Sequence, residues 1–288
     1  MAIKNRYDFI MLFDVENGNP NGDPDAGNSP RIDSETGYGI ITDVCLKRKI
    51  RNYVELIKDG EPGFQILIKQ DKALNSKFTD AYKESGLEVD KKEKSEKDEI
   101  IAQKYMCKNY FDVRTFGAVM STGNNPCGIV RGPVQISFAR SMSPINIQDI
   151  TITRQAKTTE DRAKTGGSEM GKKSIVPYAL YKAEGYISAA LANKTTDLTE
   201  EDLEVLWNAI INMFEEDHSA VRGKMCMRKL YIFKHENILG NSPSNLLFDK
   251  IKIKQNNYPS PAREFSDYTI SVDTNLPDGV ELIEKLWF

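Results

Sequence analysis

The sequence predicts an α+β protein: one sheet of the split βαβ kind, with helices on one face. Three observations carry this. Tyr7–Val15 (YDFIMLFDV) is an apolar, aromatic-rich run of strand length, marked by Asp8 and Asp14. The segment TDVCLKRKIRNYVELI puts Leu46, Ile50, Tyr53 and Ile57 on one helical face. Beyond it, the order runs strand, projecting hairpin, strand, helix, strand. The sheet face away from the helices is expected to stay open for a ligand.

The first strand reads as covered on both faces, because its apolar residues do not alternate with polar ones. The loop NGNPNGDPDAGNSPR then stops regular structure. Pro20, Pro24 and Pro30 remove backbone donors, and Gly18, Gly22 and Gly27 permit left-handed turns. Thr42 can cap the following helix, with Asp43 at the positive end of its dipole. Lys47, Arg48 and Arg51 read as the outer, basic side of that helix. A basic helix face is usually just solvated. Here it follows a strand and a backbone-rich loop, a setting in which amides can meet phosphate oxygens, so phosphate contact is the expectation.

Gln65–Ile68 is a short apolar piece after a Gly-Glu-Pro-Gly turn. Residues 70–100 are polar, and 88–98 (EVDKKEKSEKD) are nearly all charged with mixed sign, which predicts a helical insertion rather than core. A helix is expected over Asp98–Cys107. Arg131–Phe138 reads as a strand with Val134, Ile136 and Phe138 facing one way, and Pro133 suits its start. Thr151–Thr159 and Lys173–Tyr181 flank EDRAKTGGSEMGK, which predicts a long, net basic hairpin with a polar tip. Glu184–Leu191 continues the sheet or starts a short helix. Thr199 and Asp202 resemble a capping box with Asp in place of Glu or Gln. Leu203, Leu206, Trp207, Ile210, Ile211 and Phe214 then form a core-facing stripe. Leu230–Lys234 and Tyr268–Val272 complete the strands.

The 288 residues, 40% hydrophobic and 28% charged, suit one large domain or a domain with big insertions. The net charge of −3 argues mildly against a nucleic-acid partner, but the acid is concentrated at 80–100 and 197–217. Cys45, Cys107, Cys127 and Cys226 show no metal or disulfide spacing, so reduced thiols in a cytoplasm are expected. The N-terminus has no apolar signal region and no run has membrane-spanning length.

Several chemistries fail on their residues. Asn17, Asn19, Asn21 and Gly22 alternate like an EF-hand loop, but Pro20 interrupts it and Asn28 stands where the bidentate Glu belongs. Asp14, Asp23, Asp25 and Asp33 could gather around a catalytic metal, yet acids in turn-rich loops more often bond their own backbone. His218 and His235 read as satisfied or solvent-facing rather than as general bases. No phosphate-loop, nucleophile-elbow or dinucleotide-binding motif is present, nor an RNP1 sequence. From the residues alone, nucleic-acid binding leads, protein-only scaffolding follows and a metal-dependent RNA endonuclease using Asp23, Asp25 or Asp33 is the enzymatic rival.

VENGNPNGDPDAGN, TDVCLKRKIRNYV, DVRTFGAVM, RGPVQISFARS, EMGKKSIVPYALY and AVRGKMCMRKLYIFKHEN, in this order over nearly the whole chain, resemble the backbone subunit of type I-C CRISPR surveillance (Cascade) complexes. The resemblance implies a single domain over 1–288: a modified RRM-like (ferredoxin-like) palm, helical fingers inserted at 65–110 and a β-hairpin thumb at 151–182. It implies several copies side by side on a CRISPR RNA, other Cascade subunits and target DNA as partners, no cofactor and no bound metal. Carried over to this chain, palm contacts would be Asn21, Arg31, Lys47, Arg48, Arg51, Arg114, Arg222 and Lys224, with a structural ion-pair role as the alternative for Arg31 and Arg114. Lys164 and the thumb tip Met170–Lys173, with Lys172 between them, would follow the RNA. Type III relatives cut RNA with a loop aspartate, but these motifs follow the type I pattern, so the resemblance implies no cleavage.

Overall fold

The computed structural model describes residues 1–70, 73–90, 95–154 and 169–285. The first strand, β1 (Tyr7–Gly18), outruns its expected end. The loop after it is more ordered than its Gly/Pro content suggests. It holds the short pair β2 (Gly22–Asp23) and β3 (Ser29–Pro30), a 3-10 turn between them, and β4 (Tyr38–Ile41). Gly27 and Asn28 take left-handed φ values of 61° and 62°, which reverse the chain. Helix α1 (Asp43–Ile57) starts where expected, with the Thr42 hydroxyl accepting from the Cys45 amide.

An insertion follows. Helices α2 (Leu74–Glu84), α3 (Glu96–Asn109) and α4 (Phe111–Phe116) lead into the hairpin of β5 (Gly117–Met120) and β6 (Gly128–Arg131). These elements enclose a separate small core of Phe78, Tyr82, Ala102, Met106, Met120, Cys127 and Val130. That core therefore draws in residues well past position 110. The run expected as one strand over 131–138 is split by Gly132-Pro133 into β6 and β7 (Val134–Ile136), and Phe138 turns outward to 55% exposure.

Strand β8 (Ala139–Pro144) leads to the arm, in which β9 (Gln148–Arg154) pairs with the start of β10 (Glu169–Ile187). Next come a one-turn helix α5 (Ala189–Leu191) and α6 (Glu200–Asn212), whose Thr199–Asp202 capping box forms in both directions. Strand β11 (Lys224–His235), helix α7 (Ser244–Phe248), β12 (Ile251–Gln255), β13 (Tyr268–Val272) and β14 (Val280–Lys285) complete the chain.

The main sheet is ordered β14-β11-β1-β10-β8-β4, with β7 and β9 also on β10. The pairings of β1 with β10 and β11 are antiparallel. Gly185 lies opposite Phe9, and a Cβ there would stand 2.0 Å from the Phe9 ring. Glycine is what lets that ring lie flat over β10.

Both sheet faces are covered. Phe9, Met11, Phe13 and Val15 pack under Leu46, Ile50 and Val54 of α1 and Leu206 and Ile210 of α6. Ile10, Leu12, Leu180, Tyr231 and Phe233 pack against Leu247, Phe248, Ile251 and Tyr268. This corrects the expectation of an open second face. A central strand that is apolar at successive positions needs cover on both sides, and the α7–β13 segment supplies the second. One opening on that face lies along β8, beside Arg140, Lys182 and Phe138.

Candidate nucleic-acid interface

Three segments and one helix end meet at the end of the sheet where β1 finishes and the arm begins. The Asn19 amide donates to Val221 O at 2.6 Å, joining the β1–β4 loop to the loop before β11. The Ser29 and Ser174 hydroxyls lie 3.4 Å apart, joining the same loop to the arm base. Lys173 Nζ donates to Ala220 O at 3.3 Å, closing the third side. The start of α1 is tied in by Asn21, whose Oδ1 accepts from the Thr42 amide at 2.9 Å and the Thr42 hydroxyl at 3.1 Å.

Asn21 therefore positions the helix, and its acceptor is already used. Arg31 Nη1 lies 3.2 Å from Asp23 Oδ1, while its Nε is buried with no hydrogen-bond partner. Arg222 Nε sits 2.8 Å from Asp217 Oδ2. Lys224 pairs with Glu16 at the end of β1, which raises the pKa of the lysine. Lys172 pairs with Asp149 at 2.8 Å, and that hydrogen bond, with one from Ser174, holds the Asp149 carboxyl below its ordinary range. Lys173 and the exposed Arg48, which donates to Asn52 and Gln70, face neutral partners.

Two expected contacts belong to the interior instead. Arg51 is 8% exposed and donates from Nε to Asp112 Oδ2 at 2.8 Å, with its guanidinium over the Phe116 ring. Arg51 follows Ile50 directly and one turn precedes Val54–Glu55, so the finger base closes over it rather than leaving it outside. Arg114 is 7% exposed and forms a two-pronged bond to Asp202, Nε to Oδ2 at 2.9 Å and Nη2 to Oδ1 at 2.6 Å. Its remaining donors go to the carbonyls of Cys107, Lys108 and Gly63. Arg51 is thereby corrected from the helix's outer side to the interior, and Arg114 takes the structural ion-pair role that was its alternative. Lys47 is half-way: its ammonium bonds Asp43 at 2.9 Å with little exposure.

The energies separate these groups. Exposed pairs contribute about 0–1 kcal/mol, so a phosphate can displace the carboxylate cheaply. Pulling one partner from a buried pair costs about 3–5 kcal/mol, so Arg51 and Arg114 stay with their aspartates. Met170 is 76% exposed, and Met170–Lys173 sit on β10 opposite Thr153–Ile150. They lie on the described part of the arm; Lys164 lies outside the described residues.

Sequence reading passed over Lys49. It is 5% exposed, lies over the Phe214 ring and bonds Asp217, which also holds Arg222. Its signal was its position three residues after Leu46, on the buried stripe. Also missed was the cluster in which Tyr178 OH and Arg228 Nε both donate to Asp14 Oδ2, at 2.9 and 2.8 Å. Burial raises the Asp14 carboxyl pKa against the pull of Arg228. His235 is fully buried: Nε2 lies 3.0 Å from Asp8 and Nδ1 accepts from the Asn241 amide, so neither nitrogen is free to act as a base.

Among the described residues, no group of three or more His, Cys, Asp or Glu side chains is placed to hold a metal ion. No helix among them is long and apolar enough to cross a membrane. The junction presents cations, donors that a phosphodiester backbone accepts from.

The model of the CRISPR-associated protein Cas7 family matches residues 5–273. The chain belongs to this family. A Cas7 protein of Haloferax volcanii is 28% identical over 233 residues, a match covering 74% of this chain and 66% of that protein. The chain thus spans just under two thirds of that Cas7 relative. Two solved structures, a CRISPR RNA-guided surveillance complex and one in a pre-nicking state, align with TM-scores of 0.47 at 13% identity. Each alignment covers 79% of this chain, and 68% and 78% of theirs respectively.

Proposed function

We propose that this Cas7-family chain is a non-catalytic backbone subunit of a type I-C Cascade complex. It polymerises along a CRISPR RNA, holds the phosphate backbone at the β1–arm junction and presents the spacer bases for pairing with target DNA in antiviral defence. Other copies of the chain and other Cascade subunits are its partners, and the cytoplasm is its setting. The main sheet serves as an RRM-like palm, the insertion around α2–α4 as fingers and the β9–β10 arm as a thumb.

The observation that carries this reading is the meeting of the β1–β4 loop, the arm base and the 217–224 loop around Arg31, Lys173 and Arg222. Lys173 meets only the Ala220 carbonyl and Arg31 the partly exposed Asp23, so both can turn to RNA phosphates, while Arg222 shares Asp217 with the buried Lys49. Sequence would be read by base pairing while protein contacts read the backbone. Absence of RNP1-type stacking aromatics suits a surface that leaves bases free. Purification under native conditions tests the reading: the protein should carry RNA, seen as raised 260 nm absorbance that ribonuclease removes. Protein that stays ordered as an oligomer, free of RNA and indifferent to ribonuclease, would instead be a protein-only scaffold.

A further inference from the structure

A groove of about 590 Å³ lies at the opposite end of β1 and β10 from the arm. Ile238 and Leu239 wall it, exposed at 39% and 71%, with Pro133 and Leu191 across from them. Arg131 and Lys194 stand on its rim, exposed and without an ion-pair partner among the described residues.

The Ile238–Leu239 wall is held with unusual care for a surface loop. Arg6 grips the buried Asp8 at 3.0 Å and donates to Leu239 O at 3.1 Å. Buried His235 accepts from the Asn241 amide at 2.9 Å, leaving its Nε2 proton for Asp8. Asn241 Oδ1 accepts from the Asn237 amide, and Asn237 Oδ1 accepts from the Leu239 amide, each at 2.9 Å. Gly240 turns at φ 96° where a Cβ would strike the Arg6 guanidinium. A network this complete fixes two aliphatic side chains in water, which costs free energy unless something covers them. Pre-fixed walls lower the ordering cost of docking.

The same chain offers a matching surface. At the end of α1, Leu56 and Ile57 are 58% and 36% exposed. Asp59 beside them has no ion-pair partner among the described residues, and Glu61 is held by Lys58 in a surface pair. The groove lies at the end of the sheet: Tyr186 packs with Phe248 on one face, while Ile187, Ala189 and Ala192 pack on the face that α1 covers. A contact between two unlike patches is heterologous and can join copies head to tail.

We infer that the Ile238–Leu239 groove receives the Leu56–Glu61 knob of a second copy, with Arg131 and Lys194 facing Asp59 and Glu61. This deepens the backbone-subunit reading and rests on it for the row of copies.

Sedimentation of the full chain tests it, without RNA at high concentration and on a long and a short synthetic single-stranded RNA. The double reversal Arg131→Glu/Lys194→Glu should weaken RNA-free self-association and long-RNA assembly at least about tenfold, because like charges then meet. Binding to the short RNA should hold within about twofold. Adding Asp59→Lys/Glu61→Lys should restore assembly. Unchanged assembly, or a loss that the second reversal does not rescue, overturns the contact. Equal weakening on short and long RNA overturns it in favour of a groove that binds nucleic acid. Wild-type protein that binds neither RNA contradicts the backbone-subunit reading instead, and RNA-free self-association alone then decides the contact.

Discussion

Arg51 Nε lies 2.8 Å from Asp112 Oδ2, and the two side chains are nearly inaccessible to solvent. Asp112 also accepts from the Leu67 amide at 2.8 Å and the Ile68 amide at 3.1 Å, so the pair clasps α1 to the finger base. Arg51→Ala would leave a buried carboxylate without its cation. A destabilisation of about 3–5 kcal/mol is expected, read from urea denaturation. The salt dependence of RNA binding should stay as it was, which separates a clasp from a phosphate contact.

This position marks where sequence reading ends. Strand β1, helix α1 with its Thr42 cap, and the Thr199–Asp202 box were legible because apolar spacing and capping are local. Arg51 was not, because a basic residue beside a hydrophobic stripe reads as solvated until the partner 61 positions away is known. The covering of the second sheet face was hidden for the same reason. Its residues, Leu247 to Tyr268, show little periodicity and find their place only against β1 and β10. The junction was half legible: the Gly/Asn/Asp/Pro loop announced itself, while Lys49 and Asp217, which bind its neighbours together, did not.

Met170 stands 76% exposed on the arm and fills no core. Met170→Ala should shift thermal unfolding by no more than an ordinary surface substitution, within about 0.5 kcal/mol. If the thioether packs on a displaced base, the same variant should blunt the periodic reactivity of guide bases to chemical probes. Probing patterns identical to wild type would remove Met170 from the thumb contact.

Two of the loop aspartates, Asp23 and Asp33, are engaged in turn bonds. Asp23 accepts from the Asp25 amide at 3.2 Å and pairs with Arg31. Asp33 is held below the usual carboxylate range, chiefly by the Glu35 amide. Incubation with single-stranded RNA or DNA and magnesium or manganese should give no cutting. Metal-dependent cleavage abolished by Asp23→Asn, Asp25→Asn or Asp33→Asn would establish the nuclease reading instead.

Burial pushes the Cys107 and Cys127 thiols up to about 11 and about 12. Since the thiolate is the nucleophile, both should resist iodoacetamide in the native protein near pH 8, and both should react once urea is added. The sign of the linked stability follows. Unfolded thiols ionise near pH 8.5, so the stability these groups supply is complete below that pH. It falls as pH rises through the folded-state values. Denaturant midpoints at pH 7 and pH 10 should show this decline, and Cys107→Ala/Cys127→Ala should reduce it. A midpoint unaffected by the double substitution at pH 10 would mean that the thiols are not so shifted.

The most direct test of the junction as the RNA-binding surface is the salt dependence of affinity for single-stranded RNA. Each phosphate neutralised adds roughly −0.7 to the slope of log affinity against log salt. Arg31→Ala/Lys173→Ala should flatten the wild-type slope by about 0.7 for each phosphate no longer neutralised, and weaken RNAs of different sequence alike. A variant with the slope and affinity of wild type would contradict the placement of the RNA backbone at this junction.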